Sequence, residues 1–262
     1  MPRIVLTVLC LVAIQRLFSQ EIEIKGAEGQ WAIINITPEQ AREKAIEEAK
    51  KEALRRAGVT ERIKSTEALS TFEANERSQL FSSFSSIELN GAVTQFEIKR
   101  DEQKKNSVDG LFYAVVDIDA TVKKYTTVAD PEFKIEVLGL RSNGYRNGEP
   151  IEFSVLPNRA GYLKIFLFEN TDDAAQLFPN YYEPNRKLNA KETVRFPTVR
   201  IIEYIAEKST ADKQEHNLLL FVYTKNDIPF YGATTYQRVL AWIYNIEPNE
   251  REVVFENVMI TE

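Results

Sequence analysis

GYLKIFLFENTDDAAQLFPNYYEPNRKLNAKETVRFP, residues 161–197, is the stretch from which the rest of the chain can be read. Gly161 to Phe168 is an apolar and aromatic run of strand length, ended by the polar group Asn170 to Asp173, so it is predicted to be a buried strand closing in a turn. Leu177, Phe178, Pro179 and Asn180 follow. Pro179 has no N–H and pushes Phe178 toward an extended conformation, which requires the strand to stop there. Tyr181, Tyr182, Glu183, Pro184 and Asn185 read as a loop. Leu188, Ala190, Thr193, Val194, Phe196 and Pro197 are then expected to return the chain in one extended segment.

The succession GYLKIF at 161–166, LFPN at 177–180 and NRKLNAKETVRFP at 185–197 resembles a widespread bacterial domain of unknown function, found in secreted or envelope proteins. The resemblance covers roughly residues 133–262. It implies a small β-sandwich in an exported protein and brings no catalytic residue with it.

The chain has 262 residues, 44% hydrophobic and 27% charged, an ordinary globular balance with room for one large or two ordinary domains. Arg3, the apolar run Ile4 to Ile14, and the pair Ser19 and Gln20 have the layout of a secretory signal peptide over residues 1–20. The run is too short to span a bilayer. A buried first strand or an uncleaved anchor is the alternative. Cys10, the only cysteine, is preceded by Val8 and Leu9 rather than the small residues of a lipoprotein site, so the mature chain is expected to have neither disulfide nor thiolate metal site. Removal of Arg3 and Arg16 takes the net charge from −6 to −8, which argues against nucleic acid and anionic lipid as partners. The expected compartment is periplasmic or extracellular.

Upstream, Ile22 and Ile24 alternate with charged residues, and Gly26 and Gly29 precede Trp31 to Ile34, which predicts a strand with a kink or bulge at the glycines. Thr37, Pro38 and Gln40 form a helix start with a reciprocal capping box, and Gly58 supplies the stop. Ala41, Ala45, Ala49, Ala53 and Ala57 recur every fourth residue and present a smooth stripe for close packing on a sheet. Glu47 with Lys51 and Glu52 with Arg56 are expected to pair on the outer face. A second helical region is predicted over Thr66–Ser86. Ala92 to Ile98 and Phe112 to Val122 follow as two strands joined by a polar connector from Asp101 to Gly110. Strand, two helices and two strands, with TPEQAREKAIEEAKKEALRRAGV opening the first helix, resembles the amino-terminal domain of flagellar assembly protein T and related small envelope lipoproteins over residues 21–125. That resemblance implies a periplasmic assembly module.

Residues 126–132 read as a linker and 133–262 as mostly strand. Lys134 to Leu140 and Ile151 to Leu156 are predicted strands, with turns at Asn143 to Gly148. Ile201 to Ala206, Leu218 to Tyr223 and Val253 to Ile260 are further strands. A short helix starts after Thr234 or Thr235 and buries Val239, Leu240, Trp242, Ile243 and Ile246. The expected fold class is α+β, a small strand-helix-helix-strand-strand domain at 21–125 followed by an antiparallel β-sandwich domain with one short helix.

Motifs for chemistry are sparse. His216, the only histidine, reads as a solvated loop residue without a nucleophile or metal partner motif. Asp172 and Asp173 fit a turn that uses its side chains locally, with a calcium site as the alternative. Asp117 and Asp119 share a strand face and read as solvated carboxylates rather than an acid and base pair. No enzyme activity, cofactor or metal is therefore expected. Phe178, Tyr181, Tyr182 and Arg186, crowded about two prolines, are the candidate interface, because aromatics and arginine anchor interfaces. The competing reading has these rings closing one end of the core. The expected function is that of an exported, non-enzymatic interaction or scaffolding module with an envelope protein partner. A periplasmic sensory or carrier module holding a small ligand or glycan is the alternative.

Overall fold

The computed structural model describes residues 20–59, 91–169, 174–211 and 213–262. The proposed leader through Ser19, the second helix at Thr66–Ser86 and the Asp172–Asp173 turn lie outside the described residues. The fold is rich in strand and poor in helix.

The first strand, β1, runs Gln20–Ala32 and the first helix, α1, Pro38–Arg56. β2 (Gly91–Lys105) and β3 (Phe112–Lys124) complete an antiparallel sheet of order β1-β3-β2. The register of β1 slips between Ile24 and Ala27, where Gly26 has φ 59°, so the expected kink is a bulge. Thr37 Oγ1 accepts from the Gln40 N–H at 3.2 Å, and Gln40 Oε1 accepts from the Thr37 N–H at 2.9 Å. Glu52 pairs with Arg56 as expected at 2.7 Å, whereas Glu47 pairs with Lys50 rather than Lys51.

The alanine stripe does what its spacing implies. Ala41, Ala45, Ala49 and Ala53 are all fully buried against Val116, Ile118 and Val122 of β3. The helix backbone comes so close to β1 that a Cβ on Gly29 would stand 1.9 Å from Ala45 O and 2.3 Å from Ala49 N. Gly29 and the alanines are thus two halves of one contact.

The connector expected from Asp101 is mostly strand. β2 continues to Lys105, and the turn spans only the residues between Asn106 and Leu111, closed by the Asn106 N–H donating to Leu111 O at 2.8 Å. The charged sequence DEQKK at 101–105 reads as loop, but on a sheet edge it is tolerated and discourages pairing with other strands.

In the carboxy-terminal part, β4 (Ile135–Leu138), β7 (Phe153–Pro157) and β11 (Val194–Phe196) form one sheet of order β11-β7-β4. β5 (Tyr145–Arg146), β8 (Gly161–Phe168), β9 (Ala174–Phe178), β10 (Lys187–Leu188), β13 (Gln214–Thr224) and β14 (Arg251–Thr261) form another, ordered β10-β8-β13-β14-β5 with β9 also on β8. β6 (Pro150–Ile151) and β12 (Tyr204–Ile205) make a small third pair.

Several expectations are corrected here. The extended return after the aromatic loop is broken: β10 pairs with β8 and β11 pairs with β7, so the chain changes sheets between them, with Lys191 at φ 60°. Ile151 to Leu156 likewise divides between two sheets. Inside the expected Asn143–Gly148 turns, Tyr145 and Arg146 pair in parallel with the end of β14, an exception to the antiparallel rule. These segments are too short for alternation to resolve them.

The two larger sheets pack together. Leu163, Ile165, Leu219, Phe221, Tyr223, Val258 and Ile260 meet Ile135, Phe153, Val155 and Phe196 in a common core. Phe221 stands edge-on to Phe153 at 5.3 Å, and Phe133 stacks on Tyr223 at 4.9 Å. The reverse face of β8 and β13, with Phe166, Phe168, Leu218, Leu220 and Val222, is covered by the second helix, α2 (Tyr236–Tyr244), through Val239, Leu240 and Ile243. Trp242 is only half-buried, and Thr235 occupies the cap position without a side-chain capping bond.

The carbonyls that end α2 tie the parts of the chain together. Ile243 O accepts from Arg251, Tyr244 O from the Tyr125 hydroxyl at 3.1 Å, and Asn245 O from Lys123 Nζ at 3.2 Å. Helix-terminal carbonyls have no intrahelical partner, and cations suit that end of the dipole. The segment read as a linker is fastened: Thr127 donates to Glu247 at 3.0 Å, and Asp130 pairs with Lys225 at 2.8 Å.

Glu215, fully buried, holds the preceding loop. It accepts from the Thr210 N–H at 2.8 Å and hydroxyl at 3.0 Å, and from the Ser209 N–H at 2.9 Å and hydroxyl at 3.1 Å. Burial pushes its carboxyl upward, but those donors outweigh burial and leave it below the usual glutamate value.

Two outcomes are expected. Gly29→Ala should lower the urea midpoint, at a cost of about 1–3 kcal/mol, because backbone atoms of α1 occupy the space of the new methyl. For Glu215, the unfolded chain binds more protons than the folded one in the acid range, so its contribution is complete above about pH 5 and lost as pH falls through the folded pKa. The stability gap between the native chain and Glu215→Gln, measured by urea titration at successive pH values, should therefore narrow on acidification.

Candidate functional site

β9 ends at Phe178 and the aromatic loop begins there. The Phe178–Pro179 and Phe196–Pro197 peptide bonds are both cis. Phe178 is fully buried and meets Phe196 edge-on at 5.1 Å. It therefore leaves the candidate interface: the last residue of a core strand directs its ring between the sheets. Tyr181, Tyr182 and Arg186 are exposed, Tyr181 by 93% and Tyr182 by 53%, with the two rings perpendicular at 5.2 Å.

The loop beneath these rings is tightly specified. Asn180 Oδ1 accepts from the N–H groups of Tyr182 at 2.8 Å and Glu183 at 2.9 Å, an Asx turn. The Asn180 N–H donates to Glu183 O at 2.9 Å. Glu183 is 1% exposed and turns its carboxylate inward, accepting from the Tyr204 hydroxyl at 2.6 Å, Asn180 Nδ2 at 3.1 Å and the Thr198 N–H. Burial, with Glu183 alongside, pushes the Tyr204 hydroxyl far above its ordinary value, so it stays a donor. A buried carboxylate with this set of donors fixes the loop. In the sequence Glu183 reads as a loop residue, since nothing local reveals a partner 21 positions away.

A second loop joins the first. Asn185 Nδ2 donates to Asp227 at 2.8 Å, and Asp227 also faces Lys164 Nζ at 3.7 Å. Lys164 is buried in β8 with its ammonium 5.7 Å from the centre of the Trp242 ring, and burial pushes its pKa down. Four residues beyond Asp227, Tyr231 is 82% exposed. The loops carrying Tyr181, Tyr182 and Tyr231 are thus fastened to each other. Beside them a pocket of about 170 Å3 opens between the sheets, lined mainly by Ile151, Phe153, Leu167, Leu177, Tyr204 and Leu219, with Glu203 among its polar groups.

The remaining sequence candidates have structural partners. His216 lies within β13 rather than in a loop, its Nδ1 3.3 Å from Asn257 Oδ1 across the sheet. The strand begins before its apolar run does, which the sequence pattern hid. Asp117 pairs with Arg100 at 2.9 Å, and Asp119 accepts from the Gly26 N–H at 2.8 Å, stitching the β1 bulge.

Residues 144–213 match the family described as a domain of unknown function, DUF4384. The aromatic loop and Glu183 fall inside that match. Comparison with the curated proteins gives no match. Among the described residues, no helix is long and apolar enough to cross a membrane.

Truncating the rings should separate their roles. Phe178→Ala is expected to cost about 3–5 kcal/mol and clearly lower the melting temperature, whereas Tyr181→Ala should stay within about 0.5 kcal/mol. Glu183→Gln should cost about 1–3 kcal/mol, because at least one inward donor loses its acceptor.

Proposed function

We propose that this chain is an exported, non-enzymatic interaction module of the bacterial envelope, and that the Tyr181–Tyr182 loop is its contact with a protein partner. In this reading residues 1–20 are a cleaved signal peptide, 21–125 an α+β module, 126–132 the connection and 133–262 an antiparallel β-sandwich with one short helix. The resemblance of residues 21–125 to the flagellar assembly module belongs to the same proposal.

The observation that carries it is the pairing of nearly full exposure at Tyr181 with a backbone immobilised by Asn180 and buried Glu183. A loop whose backbone is already held in place loses little further backbone freedom on binding, and exposed tyrosines beside an arginine are favoured interface anchors. Tyr231 on the adjoining loop enlarges the surface.

The second reading is a small-ligand carrier, favoured by the apolar pocket beside the loop. Tyr204 links the two, since it lines the pocket and donates to Glu183.

The test is cross-linking in the native host followed by recovery of the chain from the envelope fraction. The double substitution Tyr181→Ala and Tyr182→Ala should reduce one cross-linked species at least about tenfold, consistent with losing two anchors, while the melting temperature stays put. An unchanged cross-linking pattern rejects the loop as the contact. Mass measurement of the recovered chain should give an amino terminus at Gln20 or Glu21.

A further inference from the structure

We propose that the pocket between the sheets takes a small primary amine with an apolar, ring-bearing body, the ring lying against Phe153 and Tyr204 and the ammonium at the rim beside Glu203. This rests on the small-ligand reading of the pocket and names the ligand's chemistry. The lining divides in two. Ile151, Phe153, Tyr204 and Leu219 are buried and make the floor, whereas Leu167 and Leu177 are half-buried and Glu203 and Ile205 are exposed at the rim.

Size and wall chemistry set the body. A volume of about 170 Å3 is room for one benzene-sized ring with a short side chain, since an apolar cavity of about 150 Å3 already takes up benzene. The Phe153 and Tyr204 rings, 6.2 Å apart and inclined at 28°, offer aromatic surface to a third ring. The Tyr204 hydroxyl is the one polar side-chain group on the floor, and it is engaged by Glu183 at 2.6 Å. A polar head placed on the floor would therefore lose its hydration without gaining a partner, so it belongs at the rim.

Charge at the rim sets the head. Glu203 is the only charged residue of the lining and, among the described residues, has no hydrogen-bond or ion-pair partner. Behind Tyr204 lies the Glu183 carboxylate. Leu219 is flanked across the sheet by Leu167 on one side and Glu256 on the other, so the next charged side chain on that face is again a carboxylate. Burial pushes the Glu256 carboxyl upward, with no cation offsetting the effect. Three nearby cations leave the sign unchanged. Lys164 lies on the opposite face of β8 against Asp227, Arg195 is paired with Glu152, and Arg200 is exposed and forms no ion pair with Glu203. At this rim an ammonium meets attraction and a carboxylate meets repulsion.

Three probes that share one ring provide the test: phenethylamine, phenethyl alcohol and phenylacetate, each titrated into the full chain at neutral pH and low salt and followed by saturation transfer to the ring protons. Phenethylamine should bind about fivefold more tightly than the alcohol and about tenfold more tightly than the acid. Glu203→Gln should bring amine and alcohol within about twofold of each other and leave the melting temperature unchanged, because the side chain is exposed. Leu177→Phe, which narrows the pocket, should weaken all three probes together, with the melting temperature as the check on folding. Equal binding of the three probes, or an amine preference that survives Glu203→Gln, overturns the proposal and leaves the small-ligand reading standing. Preference for the acid also overturns it and assigns the rim to Arg200. Absence of binding by every probe, or binding indifferent to Leu177→Phe, overturns the pocket as the site as well.

Discussion

The pairing of β8 with β13 is the constraint on which most of the carboxy-terminal structure depends, because both faces of this strand pair are buried. Leu163, Ile165, Leu219 and Phe221 point into the core between the sheets, and Phe166, Phe168, Leu220 and Val222 point toward α2. Two-sided burial removes the alternation of a half-exposed strand and leaves continuous apolar runs. The ends of the pair are fitted as closely: a Cβ on Gly161 would meet Thr224 O and the Tyr223 ring at 2.7 Å. Tyr223 then donates to Arg159 O at 2.7 Å, so its hydroxyl is satisfied at the edge of the core.

Around this core, buried polar groups act as fasteners. Glu183 holds the aromatic loop, Glu215 the loop through Ser209 and Thr210, Lys164 the loop at Asp227, and Arg251 the end of α2. Each is buried, and removing a partner would leave a desolvated charge, which makes the arrangement specific even where its net stabilisation is small. Asp227 receives both Lys164 and Asn185 and so relates the exposed loops to the sheet beneath. The exposed tyrosines can therefore be well placed although they touch little themselves.

The helix-bearing sheet follows a different logic. Its helix contact is made of small residues, Gly29 against Ala45 and Ala49, so backbone approaches backbone and little large-side-chain area is buried. That geometry tolerates almost no added volume. At one end β3 leads into Tyr125 and the carbonyls of α2; at the other the same strand begins in exposed apolar residues. Among the described residues, the sheet is thus anchored at one end and carries exposed apolar side chains at the other.

The sequence by itself determined what depends on local pattern. The capping box of Thr37 and Gln40, the four-residue alanine repeat, the bulge at Gly26, the strand at Gly161–Phe168 and the burial of α2 each rest on neighbours a few positions apart. The exposure of Tyr181 and Tyr182 agrees with their place in a proline-bounded loop. Only the tertiary structure decided that β10 and β11 belong to different sheets, that Tyr145 pairs with the last strand, and that DEQKK at 101–105 is strand rather than loop. It also decided the roles of Glu183 and Asp227, which look like ordinary loop carboxylates in sequence. The physical reason is the same throughout: a hydrogen bond from Tyr204 to Glu183, or from Asn185 to Asp227, joins residues 21 and 42 positions apart, and no local periodicity encodes such a pair.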